Sequence, residues 1–111
     1  MTTQQLEALL DHLMQAQKAQ RLLTYRELVE QLSIAPPAIA RLSRALEQLQ
    51  AYDFKQQQPM RSALVVSQRL PAIPRLGFFE CYSALTGLSI HEQDREQWHA
   101  DYIKAVYQFS Y

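Results

Sequence analysis

Glycine is nearly absent from this chain: 111 residues hold two, Gly77 and Gly87, against five prolines and one cysteine, Cys81. Phosphate loops and dinucleotide fingerprints need clustered glycines to bring backbone amides against a ligand, so neither can be built here. No Gly-x-Ser-x-Gly elbow occurs either. A lone cysteine closes no intrachain disulfide and supplies no cysteine-based metal site. No charged leader followed by a long apolar run opens the chain, and no segment approaches the roughly 20 apolar residues of a bilayer span. The expectation is a cytoplasmic protein with no membrane association, in a reducing compartment. Composition, at 48% hydrophobic and 20% charged, is that of one globular, mostly helical domain covering residues 1–111.

An excess of one charge is also missing. Eleven Lys and Arg balance eleven Asp and Glu, which weighs against strong nonspecific binding to phosphate backbones. The distribution is uneven, however. Residues 1–75 carry nine basic and six acidic side chains, and residues 76–111 carry two and five. The basic excess thus falls in residues 1–75 and the acidic excess in 76–111, which the periodicity below assigns to a helix-turn-helix with wing and to a C-terminal helical extension.

What is present is helical periodicity with clear start signals. Leu6, Leu9, Leu10 and Leu13 recur at helical spacing, with Met14 beside them, and predict an amphipathic helix over residues 3–20 with one face in the core. Thr24 and Glu27 form a capping-box pair opening a helix from about Tyr25 to Leu32 that buries Leu28, Val29 and Leu32. Ser33-Ile34-Ala35 is short enough for a tight turn, and Pro36-Pro37 favours a new helix start. That third helix is expected to run to about Gln50, with Ile39, Leu42, Leu46 and Leu49 inward and Ala38, Arg41, Arg44 and Gln48 on or near the outer side. This is the layout of a recognition helix, and equally of any amphipathic surface helix.

Tyr52 to Gln58 reads as a loop or frayed helix end, Ser62 to Ser67 as the best strand, and Arg69 to Arg75 as an irregular wing. After Gly77 a short helix, Phe78 to Leu85, is expected to stop at Gly87. Ser89 with Glu92 suggests a second capping box for a last helix over about Ile90 to Gln108, with Trp98, Tyr102, Ile103, Val106 and Phe109 on its apolar face. The fold expected is thus mainly α with a small β-hairpin (α+β), a winged helix-turn-helix with an added C-terminal helix.

No residue set points to a reaction. Cys81 lies beside Phe78, Phe79, Glu80 and Tyr82, an apolar and acidic setting that suits a packed thiol and not a nucleophile. His91 and His99 are eight residues apart, too far for a pair of zinc ligands on one helix, and read as solvated. His12 has only Asp11 beside it. Glu92 and Glu96 are accounted for by capping and solvation, so no catalytic residue, cofactor, metal or small-molecule substrate is expected.

The segment Thr24-Tyr25-Arg26-Glu27-Leu28 through Ala45-Leu46, followed by Leu64-Val65-Val66, resembles the winged-helix DNA-binding domain of the alkylguanine alkyltransferases and alkyltransferase-like proteins. The likeness covers less than half the chain. It implies a tyrosine, matched by Tyr25, that touches the DNA backbone at the start of the second helix. It also implies an arginine on the third helix that fills the gap left by a flipped base. Aligning the apolar stripe puts that position at Ala40, one residue before Arg41. The family's Pro-Cys-His-Arg centre before its paired valines, or tryptophan in place of the cysteine, has no counterpart in Pro59-Met60-Arg61-Ser62-Ala63-Leu64, so alkyl transfer is excluded.

Two functional readings remain. In the first, a non-enzymatic winged-helix protein binds double-stranded DNA through Tyr25 and Arg26, through Arg41 and Arg44 on the groove side, and through Arg61 or Arg69 from the wing. In the second, the same scaffold is a protein-protein or dimerisation module, with Trp98, Tyr102, Tyr107 and Phe109 as its surface. Whether Arg41, Arg44, Arg61 and Arg69 lie on one free face or are paired with acids separates the two.

Overall fold

Two helices of the protein start by the same device. In the computed structural model, which describes residues 1–111, α1 (Thr3–Ala19) opens with Thr2 Oγ1 accepting from the Gln5 N–H while the Gln5 side chain accepts from the Thr2 N–H. Helix α2 (Tyr25–Leu32) repeats the pattern with Thr24 and Glu27, at 3.1 and 2.8 Å. Each box satisfies two amides that a helix start otherwise leaves unpaired. Both helices end on a left-handed residue, Gln20 and Ser33, after which the chain turns sharply.

Helix α3 (Ala38–Lys55) is longer than the sequence suggests, by the Ala51–Lys55 stretch. The extension is held by tertiary contacts, because Gln50 and Asp53 point into the protein at 1% and 0% exposure. The Gln50 side-chain amide donates to the Phe78 carbonyl at 3.0 Å, and Asp53 receives four hydrogen bonds from Gln58 and Arg61.

The expected β-hairpin is not formed. The strands are β1 (Leu23–Thr24) and β2 (Val65–Val66), and they pair in parallel, with Leu23 opposite Val65 and Thr24 opposite Val66. A parallel pair cannot be joined by a tight turn, and here α2 and α3 form the crossover. The first half of the expected strand is a 3-10 turn, Arg61–Leu64, because the Arg61 N–H donates to Asp53 and not to a neighbouring strand. The segment after β2 returns through a compact loop in which the Ser67 N–H donates to the Ile73 carbonyl at 2.9 Å. Prolines 71 and 74 in that loop have no N–H to offer a ladder.

Helix α4 (Leu76–Thr86) begins one residue before Gly77 and stops at Gly87, whose φ of 77° is the left-handed conformation that favours glycine at a helix end. The Ser89 capping box does not form. Ser89 Oγ lies 3.2 Å from Ser83 Oγ, Glu92–Asp94 makes a 3-10 turn, and α5 (Arg95–Gln108) starts later than its sequence suggests, at Arg95.

The protein is therefore α+β, five helices around a minimal parallel sheet. One core runs through it: Leu9 and Leu13 of α1, Leu28 of α2, Leu42 of α3, Leu64 and Val65, and Val106 of α5 are each 2% exposed or less. Each such side chain contributes about 1.5–3 kcal/mol by leaving water. The same core includes residues of both halves, so 1–75 and 76–111 are packed together. Only part of the α1 stripe faces inward. Leu6, Leu10 and Met14 remain 39%, 43% and 46% exposed, because α1 touches the body along the Leu9–Leu13–Ala16 line.

Candidate nucleic-acid interface

Helix α3 begins after Pro36-Pro37, and no side chain caps it. The amides of Ala38, Ile39 and Ala40 have no protein acceptor, since the first bond of this helix start is from the Arg41 N–H to the Pro37 carbonyl at 3.0 Å. Such a start carries free donors and the positive end of the helix dipole. Arg41 and Arg44, one turn apart and both exposed, stand beside it and share a shallow depression with Met1, Pro37 and Ala40. Neither is ion-paired; Arg41 Nε reaches only the Pro36 carbonyl, at 3.4 Å.

The other arginines differ. Arg61 is committed inside the protein: its guanidinium meets the fully buried Asp53 carboxylate at 2.7 Å and lies 4.9 Å from the Tyr111 ring. Its side chain is only 19% exposed, so it does not stand out from a wing. Arg26 is exposed but paired with Glu30, one turn along α2, at 3.3 Å. Arg69 is exposed in the loop after β2 and has no acidic partner.

Tyr25 is placed differently from a surface contact. It is 7% exposed, its hydroxyl accepts the Arg75 N–H at 3.0 Å, and the Arg75 guanidinium lies 5.7 Å from its ring. Burial raises the pKa of this phenol above the usual tyrosine value, the hydrogen bond from Arg75 opposing the shift. The Thr24 cap fixes the first residue of α2 against the loop that leads into α4, and what remains accessible of the ring faces a cleft beside the α4 start.

The C-terminal aromatics are largely spent on one another. Trp98 stacks on Tyr102 at 4.7 Å and meets Tyr82 edge-on at 4.9 Å, with Phe78 and Phe79 behind. The Tyr102 hydroxyl accepts the Met60 N–H at 2.7 Å. Tyr107 is half-buried against the core and Phe109 is half-buried beside Tyr111. These side chains tie α5 to α4 and to the turn before β2, and Trp98, Tyr102, Tyr107 and Phe109 are each half-buried.

His99, expected in solvent, is 4% exposed with its Nε2 2.8 Å from the Ala63 carbonyl. Burial pushes its pKa below the ordinary histidine value. The helical position between Trp98 and Tyr102 was the available signal, one that a reading of histidine as polar overlooks. His91 is exposed. Cys81 is half-buried, and burial followed by the nearby Glu47 carboxylate raises its thiol pKa, the opposite of what a nucleophile requires. No group of three or more His, Cys, Asp or Glu side chains is arranged to hold a metal, and no helix is long and apolar enough to cross a membrane.

No family model, curated protein or solved structure matches this chain.

Proposed function

We propose that this is a winged-helix-like, non-enzymatic protein that binds double-stranded DNA through the N-terminal half of α3. One observation carries the reading: Arg41 and Arg44 are exposed, unpaired and adjacent to an uncapped helix start. Free amides and two guanidiniums together suit phosphate oxygens, and the planar donor fork of arginine also fits a guanine edge. Arg69 and Arg26 are secondary contacts, Arg26 at the cost of its Glu30 partner. Arg61 and Tyr25 are structural in this reading.

Titration of labelled duplex DNA at several salt concentrations tests it. The expected result is affinity that falls steeply with salt, with a log-log slope of about −0.9 for each phosphate neutralised. Arg41→Ala and Arg44→Ala should each flatten that slope by about one phosphate contact, while Arg61→Ala should leave it unchanged. Absence of binding at low salt, or binding indifferent to salt, overturns the proposal.

A second reading, a partner or dimerisation module, draws on a different observation. Leu10 and Met14 of α1 line a groove of about 780 Å³ with Tyr107, Phe109 and Tyr111, and Leu6 continues the exposed stripe. Light scattering across a concentration series tests it: a mass that stays that of one chain removes the homodimer.

A further inference from the structure

Between α3 and the start of α4 lies a cleft of about 220 Å³ that plays no part in the DNA reading. Pockets for drug-sized ligands run to roughly 300–1,000 Å³, so this one suits a smaller molecule. Leu46, Phe78 and Tyr25 form its apolar side.

Several polar groups at this cleft are unused, although the Gln50 amide and the Tyr25 oxygen are engaged. Ser62, at 3% exposure, lines it, and its Oγ is a buried side-chain oxygen with no hydrogen-bond partner. A buried hydroxyl in that state costs about 1–3 kcal/mol. Helix α4, eleven residues long, presents its N-terminus at the same place, and no side chain caps it. The Arg75 N–H is taken by Tyr25 and the Phe78 N–H by the Arg75 carbonyl, whereas the Gly77 N–H has no protein acceptor. The Tyr25 hydroxyl accepts one hydrogen bond and keeps its proton free to donate.

Two opposite charges border this cleft without pairing. Arg75 and Glu47 both line it, yet the ion pairs of this protein are Arg26–Glu30 and Arg61–Asp53. Glu47 is held beside the α4 start: its Oε2 would lie 3.9 Å from a Cβ placed on Gly77. A dianion such as phosphate would meet the Glu47 carboxylate, and a simple cation would meet Arg75 and the positive helix end. A molecule bearing both charges a few bonds apart meets neither objection.

We propose that this cleft binds a small zwitterion of the free α-amino acid class, with its carboxylate on the Gly77 amide, the Ser62 hydroxyl and Arg75, and its ammonium on Glu47. The inference is independent of DNA binding, since it uses neither Arg41 nor Arg44.

The test is a titration of the ¹⁵N-labelled full chain with glycine, L-serine and L-leucine, with acetate, methylammonium and phosphate as single-charge controls. At least one amino acid should move the Gly77 amide resonance at millimolar concentration, and every control should need at least tenfold more. Ser62→Ala should weaken amino acid binding at least tenfold while leaving the thermal midpoint of the free protein no lower than before, which separates lost binding from lost folding. Glu47→Gln, at an exposed position, should erase the preference for amino acid over acetate. If no amino acid moves Gly77, if acetate or phosphate binds as well, or if Ser62→Ala binds unchanged, the proposal is wrong.

Discussion

Replacing Asp53 by alanine tests whether the arginine nearest the expected wing is an internal strut. The carboxylate is fully buried and accepts from the Arg61 N–H at 2.9 Å, from Arg61 Nε at 3.2 Å, from Arg61 Nη2 at 2.7 Å and from Gln58 Nε2 at 2.7 Å. Removing it strands a mostly buried guanidinium, a backbone amide and a side-chain amide at once. Breaking one side of a buried pair costs about 3–5 kcal/mol, a large share of the roughly 5–15 kcal/mol that holds a domain together. At an m-value of about 2 kcal/mol/M, a loss of ~4 kcal/mol lowers the urea midpoint by about 2 M. The partner change Arg61→Met leaves Asp53 with the Gln58 amide and the position-61 N–H, so it should cost less. The double variant should lose less than the sum of the two, with a coupling of at least about 1 kcal/mol. Equilibrium urea unfolding of the four proteins, followed by far-UV circular dichroism, supplies all the terms. Additive losses, or an Asp53→Ala cost below the ~1 kcal/mol of an exposed pair, would refute the strut and return Arg61 to the list of surface contacts.

Two further outcomes follow from single contacts. Thr24→Ala removes the acceptor for the Glu27 N–H and should lower stability by about 1 kcal/mol; thermal unfolding checks it, and an unchanged midpoint means the cap contributes nothing. His99 is held neutral by burial, its folded pKa lying below the ordinary 6.5. The unfolded chain therefore binds the proton first on acidification. The stability that neutral His99 contributes is complete above pH 6.5 and is lost as the pH falls from there through the folded value. Unfolding free energies measured across that window should fall for the parent protein and fall less for His99→Gln; parallel curves would show that His99 is not the titrating group.

Local signals were legible where the chain's own neighbours satisfy its backbone. The Thr24–Glu27 box, the Gly87 stop and the inward lines of α2 and α3 follow from spacing alone, because cap and periodicity act within one or two turns. The errors lie where a distant residue decides. Tyr52 to Gln58 looks like a loop until Asp53 is seen to anchor Arg61. Ser62 to Ser67 looks like half of a hairpin, yet its second half pairs with Leu23–Thr24, which belong to the far side of α2 and α3. A polar code for histidine hid His99, whose carbonyl partner Ala63 is 36 residues away. The basic candidates separated in the same manner: all of them look alike in sequence, and only the positions of Glu30 and Asp53 distinguish Arg26, in an exposed pair, and Arg61, in a buried one, from the unpaired Arg41 and Arg44.

By itself, the sequence determined a helical chain with fixed starts and stops, since capping, glycine and periodicity are properties of adjacent residues. The scarcity of glycine and cysteine likewise excludes a glycine-rich phosphate loop and an intrachain disulfide. Tertiary structure alone decided the parallel sense of the sheet, the burial of Tyr25 and His99, which arginines are free, and the meeting of Ser62, Glu47, Arg75 and the α4 start at one cleft. These depend on which distant groups come within a few ångströms of each other, and hydrogen bonds and charges act only over such distances.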